Sequence, residues 1–353
     1  MLIFHNPDHQ AHQGRHEMFR GRLVPCHETA DRLQHVLAEL QRRPQGPLHT
    51  PGPADRALLA RVHTPDYLAF LESAWAQWLA LSPDNAALDI LPSVWPGRGM
   101  RHELPSANFS AQVGRYGFDA GSPITAGTWA AALAGAACAV DAARAVLAPG
   151  AGPRAAAAAL TRPPGHHAGA DFFGGYCFLN NSALAAQALR EAGLARVAVL
   201  DVDYHHGNGT QAIFYNRPDV LTISLHGDPR TEYPFYLGHA DERGEGAGLG
   251  FNLNLPLPAG TGFASWRAAL QQGLDAVAQF GAQALVVPLG VDTFAGDPIS
   301  KFSLASADYF QVGAALASAG LPTVFVLEGG YAVAEVGVNV VNVLAGYQAT
   351  LAA

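Results

Sequence analysis

Cysteine is scarce in this chain: Cys26, Cys138 and Cys177 are the only three in 353 residues. They are too few and too scattered for a disulfide framework or a thiolate metal site, which points to a reducing compartment. Charge is also sparse, at 14% of residues against 49% hydrophobic, so the chain is not disordered and must build a large core. What charge there is leans acidic, 21 Lys+Arg against 29 Asp+Glu, a net of −8. That balance offers no clustered basic surface for nucleic acid, and it would suit a cationic small substrate. Long apolar runs are missing too. The most apolar stretch, Ala130 to Val140, is mostly alanine and stops at Asp141, far short of a membrane span. The apolar start breaks at His5, so no signal peptide is expected, and the expectation is a soluble cytoplasmic protein with no membrane partner. Neither a phosphate-binding glycine loop nor a dinucleotide fingerprint occurs, and no Gly-x-Ser-x-Gly elbow marks a serine hydrolase.

What is present has a regular order. Residues 27–41 and 66–81 carry apolar positions at helical spacing, Leu33, Val36, Leu37 and Leu40 in the first and Leu68, Leu71, Trp75 and Trp78 in the second. Segment 82–127 is rich in Pro, Gly, Ser and Asn, lacks periodicity, and reads as a long functional or interfacial loop. Beyond it, apolar runs at 155–160, 197–200, 220–225, 284–289 and 323–327 alternate with helical segments at 129–147, 181–192, 264–280 and 306–319. Buried strands alternating with helices imply a parallel sheet covered on both faces. The fold class is therefore a doubly wound α/β domain spanning residues 1–353.

Histidine is abundant, with 15 residues, and its placement carries the chemistry. Every apolar run is followed by polar residues: Arg162, His166 and His167; Asp201, Asp203, His205, His206 and Asn208; His226 and Asp228; Asp292 and Asp297; Glu328 and Tyr331. The carboxyl ends of parallel strands share one edge, and ligands bind outside it, so five clusters converge on one site. In an extended segment Asp203 and His205 would face the same way, and a carboxylate with an imidazole fits zinc and also tolerates ferrous iron, cobalt or manganese. Asp292 is the best third ligand, and three protein ligands leave a position open for water. A lone Asp-x-His more often caps a helix; four other clusters on the same edge outweigh that reading. His166 and His167 suit acid–base work, and the Tyr331 phenol could hydrogen-bond a developing oxyanion. The chemistry left standing is metal-assisted hydrolysis.

Six segments, RPPGHHA, GGYCFLNN, DVDYHHGNGT, ISLHGD, GVDTFAGDP and LEGGY, together resemble the zinc-dependent histone deacetylase superfamily, which has the arginase–deacetylase fold. The HTPDYLAFLESAW helix, the insertion before GTW and DPISKFSL are similar to the bacterial acetylpolyamine amidohydrolase branch. The resemblance runs over essentially the whole chain. It implies Asp203, His205 and Asp292 as zinc ligands, with Fe2+ or Co2+ possible, His167 as general base and acid, and His166 as its electrostatic support. It implies that Tyr331 polarises the acetyl carbonyl, that Asp201 partners His166, and that Asn208 holds the other nitrogen of His167. A structural K+ would sit against Asp201, Asp203, His205, Ser224 and Leu225. Gly175 matches the carbonyl that receives the substrate amide hydrogen, Tyr176 one tunnel wall and Tyr233 the other. The 82–127 insertion resembles the element that pairs subunits, so a homodimer is expected.

One departure concerns substrate. The acetylpolyamine branch carries glutamates in the insertion where this chain has Ser110 and Gly121, with Glu103 and Asp119 nearby as substitutes. The expected activity is removal of an acetyl group from a small acetylated amine, giving acetate and free amine. The alternatives are a deacetylase of acetyl-lysine in proteins or of another acylated metabolite, a catalytically silent binding protein, and an arginase-like manganese hydrolase.

Overall fold

Alternation within each strand builds the core. In β5 (Ala156–Leu160), Ala157 and Ala159 face one hydrophobic layer while Ala158 and Leu160 face the other, and β6 (Val197–Asp201) repeats the pattern with Val197 and Val199 against Ala198 and Leu200. The computed structural model describes residues 1–101 and 106–352. Its main sheet has eight strands, all pairings parallel. The sheet adds β1 (Leu2–His5), β4 (Leu48–His49), β7 (Val220–Gly227), β8 (Asn252–Leu257), β9 (Ala284–Leu289) and β10 (Thr323–Leu327), in the order β4-β1-β5-β10-β9-β6-β7-β8. A separate antiparallel hairpin pairs β2 (His16–Phe19) with β3 (Arg22–Pro25).

Helices α2 (Arg56–Val62), α3 (Pro65–Leu81), α4 (Phe109–Tyr116), α5 (Thr128–Ala145), α6 (Asn181–Glu191) and α7 (Asn208–Phe214) supply one layer. The other comes from α1 (Asp31–Arg42), α8 (Phe263–Phe280), α9 (Asp308–Ala317) and α10 (Val333–Ala352). The five apolar runs read as strands are the adjacent centre of the sheet, so the exits of β5, β10, β9, β6 and β7 stand side by side along one edge.

Two sequence expectations change. Three main-sheet strands had no signature: β1 has four residues, β4 has two, and β8 (NLNLPL) alternates polar and apolar at a sheet edge. Segment 82–127 is not one long loop. It contains α4, capped by the Asn108 side chain accepting the Ala111 N–H (3.2 Å), a short turn of 3-10 helix at Pro83–Ala87, and a bridge between Ile90 and Ile124. Phe109, Val113 and Tyr116 bury one face of α4, but eight residues give too short a period to stand out among glycine and proline.

Charge is buried where α1 meets the β5 exit. Glu28 accepts from Arg32 Nη1 and Arg162 Nε, both at 2.9 Å, and all three side chains are buried. Burial pushes the Glu28 carboxyl up, but the two guanidiniums outweigh it and hold it below the usual carboxylate range. Its contribution to stability is therefore present at neutral pH and lost as the medium is acidified through that lowered value. Glu28→Gln should leave two buried guanidiniums uncompensated and cost about 3–5 kcal/mol, read as a lower urea midpoint at unchanged slope.

Candidate active site

Asp203, His205 and Asp292 bring one ligand atom each to within 4.8 Å of one another, all three buried. His205 Nδ1 lies 2.9 Å from Asp292 Oδ2 and 3.4 Å from Asp203 Oδ1. Their convergence does not come from strand alternation, because β6 ends at Asp201 and residues 202–207 form a bent loop. Side chains shape that loop: the Asp203 carboxylate accepts the His205 N–H, and Asp292 accepts the Tyr204 N–H, each at 2.8 Å. Two buried carboxylates at this separation demand positive charge between them. Burial opposes protonation of His205, yet its hydrogen bonds to Asp203 and Asp292 hold the imidazole up to about 10. Burial and the Asp203 charge push Asp292 to about 7. Two carboxylate oxygens and one imidazole nitrogen, crowded this way, are a donor set that fits zinc or a similar borderline cation.

The β5 exit delivers the two imidazoles, with ring centres 4.1 Å apart. His166 Nδ1 pairs with Asp201 Oδ2 at 2.9 Å, and His167 Nδ1 with Asn208 Oδ1 at 2.6 Å. Their environments push them in opposite directions. Burial lowers His166, but the charges of Asp201 and Asp203 carry it up to about 10. Burial and the neighbouring charges of His166 and His205 push His167 well below its ordinary value. Since the Asn208 oxygen can only accept, Nδ1 of His167 carries the proton and Nε2 keeps its lone pair. The surroundings favour the cation at one imidazole and the neutral form at its neighbour, a split typical of acid–base sites.

Tyr331 reaches the same place from β10. Asp297 Oδ2 accepts its backbone N–H at 2.7 Å, and the Arg32 guanidinium lies 4.8 Å from its ring centre while donating to the Gly330 and Glu328 carbonyls. Gly175 has φ +53°, and a Cβ there would lie 2.2 Å from the His167 ring, so only glycine lets the chain pass. Tyr176 packs 5.5 Å from Tyr331, and the Tyr233 ring stands edge-on to His167 at 5.1 Å. These residues line a cavity of about 490 Å³ that also contains His205, Glu17, Asp119, Gly121, Glu232 and Lys301. Gly175, Tyr176 and Tyr233 thus line one cavity with His167 and Tyr331.

Asp119 departs from the role considered for it. Its oxygens accept the Gly175 N–H (2.8 Å), the Tyr233 hydroxyl (2.6 Å), the Gly121 N–H (2.9 Å) and the Ser122 hydroxyl (3.3 Å). Fully engaged, it braces both aromatic walls rather than standing ready for an ammonium. Ser110 is exposed on α4, and Glu103 lies outside the described residues. Asp201 and Ser224 face each other in register across β6 and β7, with Leu225 next in the strand. Ser224 Oγ lies 2.8 Å from His226 Nδ1. Arg162 turns away from the site to Glu28.

Three contributors had no assigned role in the sequence. Glu17, from the hairpin, accepts the Tyr176 hydroxyl at 2.9 Å and pairs with His27 Nδ1 at 2.7 Å. Glu328 accepts the N–H groups of Gly165 and His166 (2.5 and 3.1 Å) and the Ser182 hydroxyl (2.9 Å), tying β10 to the His-His loop. Asp297 anchors Tyr331. Glu328 and Asp297 were visible as polar strand exits; nothing in HEMF marks Glu17.

Residues 26–347 match the histone deacetylase domain model. Acetylpolyamine amidohydrolase 2 of Pseudomonas aeruginosa is 49% identical over 355 residues, covering 99% of each chain, and the acetylpolyamine amidohydrolase of Mycoplana ramosa is 44% identical over 98% of this chain and 99% of its own. The crystal structure of acetylpolyamine aminohydrolase from Burkholderia pseudomallei superposes with a TM-score of 0.92 at 39% identity, over 99% of both chains. With this domain match and a paired-histidine site at the strand ends, the chain belongs to the histone deacetylase family. It is a hydrolytic deacetylase, and zinc dependence is the general property of that family.

Asn208 permits a pH test. An aspartate there would place a full negative charge on His167 Nδ1, favour imidazolium and raise its pKa. Since catalysis needs the neutral ring, Asn208→Asp should move the acid limb of the kcat/KM profile to higher pH by about one unit or more.

Proposed function

We propose that this enzyme removes the acetyl group from a small acetylated amine of the polyamine type, releasing acetate and the free amine. The observation that carries the reading is a cavity whose aromatic walls, Tyr176 and Tyr233, close on His167 and Tyr331. An alkyl chain suits the rings, and a cationic tail suits the acidic balance of the chain, a net of −8. Its relatives named acetylpolyamine amidohydrolases support the same substrate class.

Asp203, His205 and Asp292 would hold zinc, with Fe2+ or Co2+ as alternatives, and Asp201, Asp203, His205, Ser224 and Leu225 would hold a structural K+. Zinc supplies a Lewis acid that activates water and polarises the carbonyl. His167 Nε2 takes the proton of the attacking water and returns it to the leaving nitrogen. Tyr331 donates its hydroxyl proton as a hydrogen bond to the developing oxyanion. The Gly175 carbonyl accepts the amide N–H, which fixes the acetyl group between the walls. His166, held as a cation by Asp201, keeps its neighbour neutral and lends positive potential to the transition state.

We read residues 1–353 as one deacetylase domain acting in the cytoplasm. The three cysteines are free, and among the described residues no helix is long and apolar enough to cross a membrane. The insertion exposes Leu88, Val94, Trp95 and Met100. Exposed apolar side chains in this segment support pairing of two copies, so sedimentation should give about twice 37.0 kDa. The second reading, deacetylation of acetyl-lysine in proteins, draws on Ser110 and Gly121 in place of the acetylpolyamine branch's glutamates.

Zinc-loaded enzyme should release acetate from acetylputrescine, acetylcadaverine and acetylspermidines faster than from an acetyl-lysine peptide; the reverse order would favour the second reading. Tyr331→Phe should lower kcat by about 10²–10³. A chelator should abolish turnover, and added Zn2+ should restore it.

A further inference from the structure

Lysine is nearly absent from this chain. Of 21 Lys+Arg residues only Lys301 is a lysine, and it lines the same cavity as His167 and Tyr331. Its ammonium lies 2.5 Å from Glu232 Oε1, with the lysine side chain 44% exposed and the glutamate 6%. The segment that carries it is fixed. The Lys301 carbonyl accepts the Gly260 N–H at 2.7 Å, and Ile299 donates to Asp297, the carboxylate that also holds Tyr331. Glu232 is equally placed, directly before Tyr233, whose ring stands against His167. The ion pair therefore joins two segments that both line the cavity.

We propose that Lys301 and Glu232 are a specificity-determining pair, in which Lys301 is a resident ammonium that occupies the carboxylate a substrate's distal ammonium would otherwise use. This rests on the small-amine reading above. A nearly buried carboxylate needs a cation, and Lys301 supplies it in the resting protein. A substrate with an uncharged tail leaves the pair intact. A tail that brings its own ammonium to Glu232 gains only the difference between two similar ion pairs, while the displaced lysine returns to water. The pair thus limits how strongly Glu232 selects cationic tails, although it lines the cavity.

The test compares N-(5-aminopentyl)acetamide with N-pentylacetamide, which share a chain and differ in the terminal charge, using zinc-loaded enzyme. Lys301→Met uncovers Glu232, and the ratio of kcat/KM for the charged over the uncharged substrate should rise about tenfold, the order expected of a charge-assisted hydrogen bond. Lys301→Arg keeps the charge and should keep the ratio near wild type. Adding Glu232→Gln to Lys301→Met should cancel the gain. An unchanged ratio in Lys301→Met, or a gain that survives in the double variant, overturns the proposal.

A second measurement does not need turnover. Reductive methylation with 13C-formaldehyde labels only Lys301 and the N-terminus, so the Lys301 methyl resonance can be followed in Tyr331→Phe. It should move on addition of N-(5-aminopentyl)acetamide and not with N-pentylacetamide; equal or no movement overturns the pair's role. If wild type releases acetate from no small amine but does so from an acetyl-lysine peptide, the substrate reading fails, and the resonance alone decides on Lys301.

Discussion

The Asp203 carboxylate has no solvent exposure and sits where three strand ends meet, with β10 and β9 closing over it through Gly329 and Gly290. A Cβ on Gly290 would lie 1.9 Å from one of its oxygens and a Cβ on Gly329 2.6 Å from the same atom. Burying a charge so completely costs several kcal/mol unless hydrogen bonds and counter-charge surround it. Here the N–H groups of Gly329 and His205 point at it, and His166 and His205 stand beside it. The rest of the site follows from that demand: the bent loop after β6, the imidazole partners, and the backbone glycines that make room.

The same economy of packing governs the acid–base groups. His166 and His167 are chemically identical and adjacent, yet Asp201 faces one and an amide faces the other, so burial neutralises only His167. The backbone at Gly165 and His166 is held by Glu328 just after β10, and that of Tyr331 by Asp297 from beyond β9. Buried carboxylates on different strand exits thus orient His166 and Tyr331, and the Asn208 amide orients His167. That arrangement converts sheet rigidity into positional accuracy, which is what proton transfer and oxyanion stabilisation require.

The cavity is assembled from parts distant in sequence. Asp119, within the insertion, hydrogen-bonds the Gly175 backbone and the Tyr233 hydroxyl, so the insertion is part of the tunnel wall. The hairpin adds Glu17, bonded to the Tyr176 hydroxyl, and the β9 exit adds Lys301. A lining that holds both engaged carboxylates and an internal ion pair gives the cavity a basis for choosing among substrates that share the acetyl group.

Sequence alone determined the central strands and the site at their exits, because fully buried parallel strands are continuous apolar runs and the polar residues after each must share an edge. It singled out Asp203, His205, Asp292, His166, His167 and Tyr331, which the fold brings together at the strand exits. It did not reveal β4, β8 or α4, whose patterns are too short or too mixed to show a period. Nor did it reveal Glu17, the brace at Asp119 or the Lys301–Glu232 pair. Those depend on contacts between segments more than fifty residues apart, and a side chain's partner across such a distance leaves no periodicity behind. Tertiary structure alone decided which carboxylates are engaged and which wall carries the lysine, because hydrogen-bond saturation and ion pairing are properties of three-dimensional neighbours.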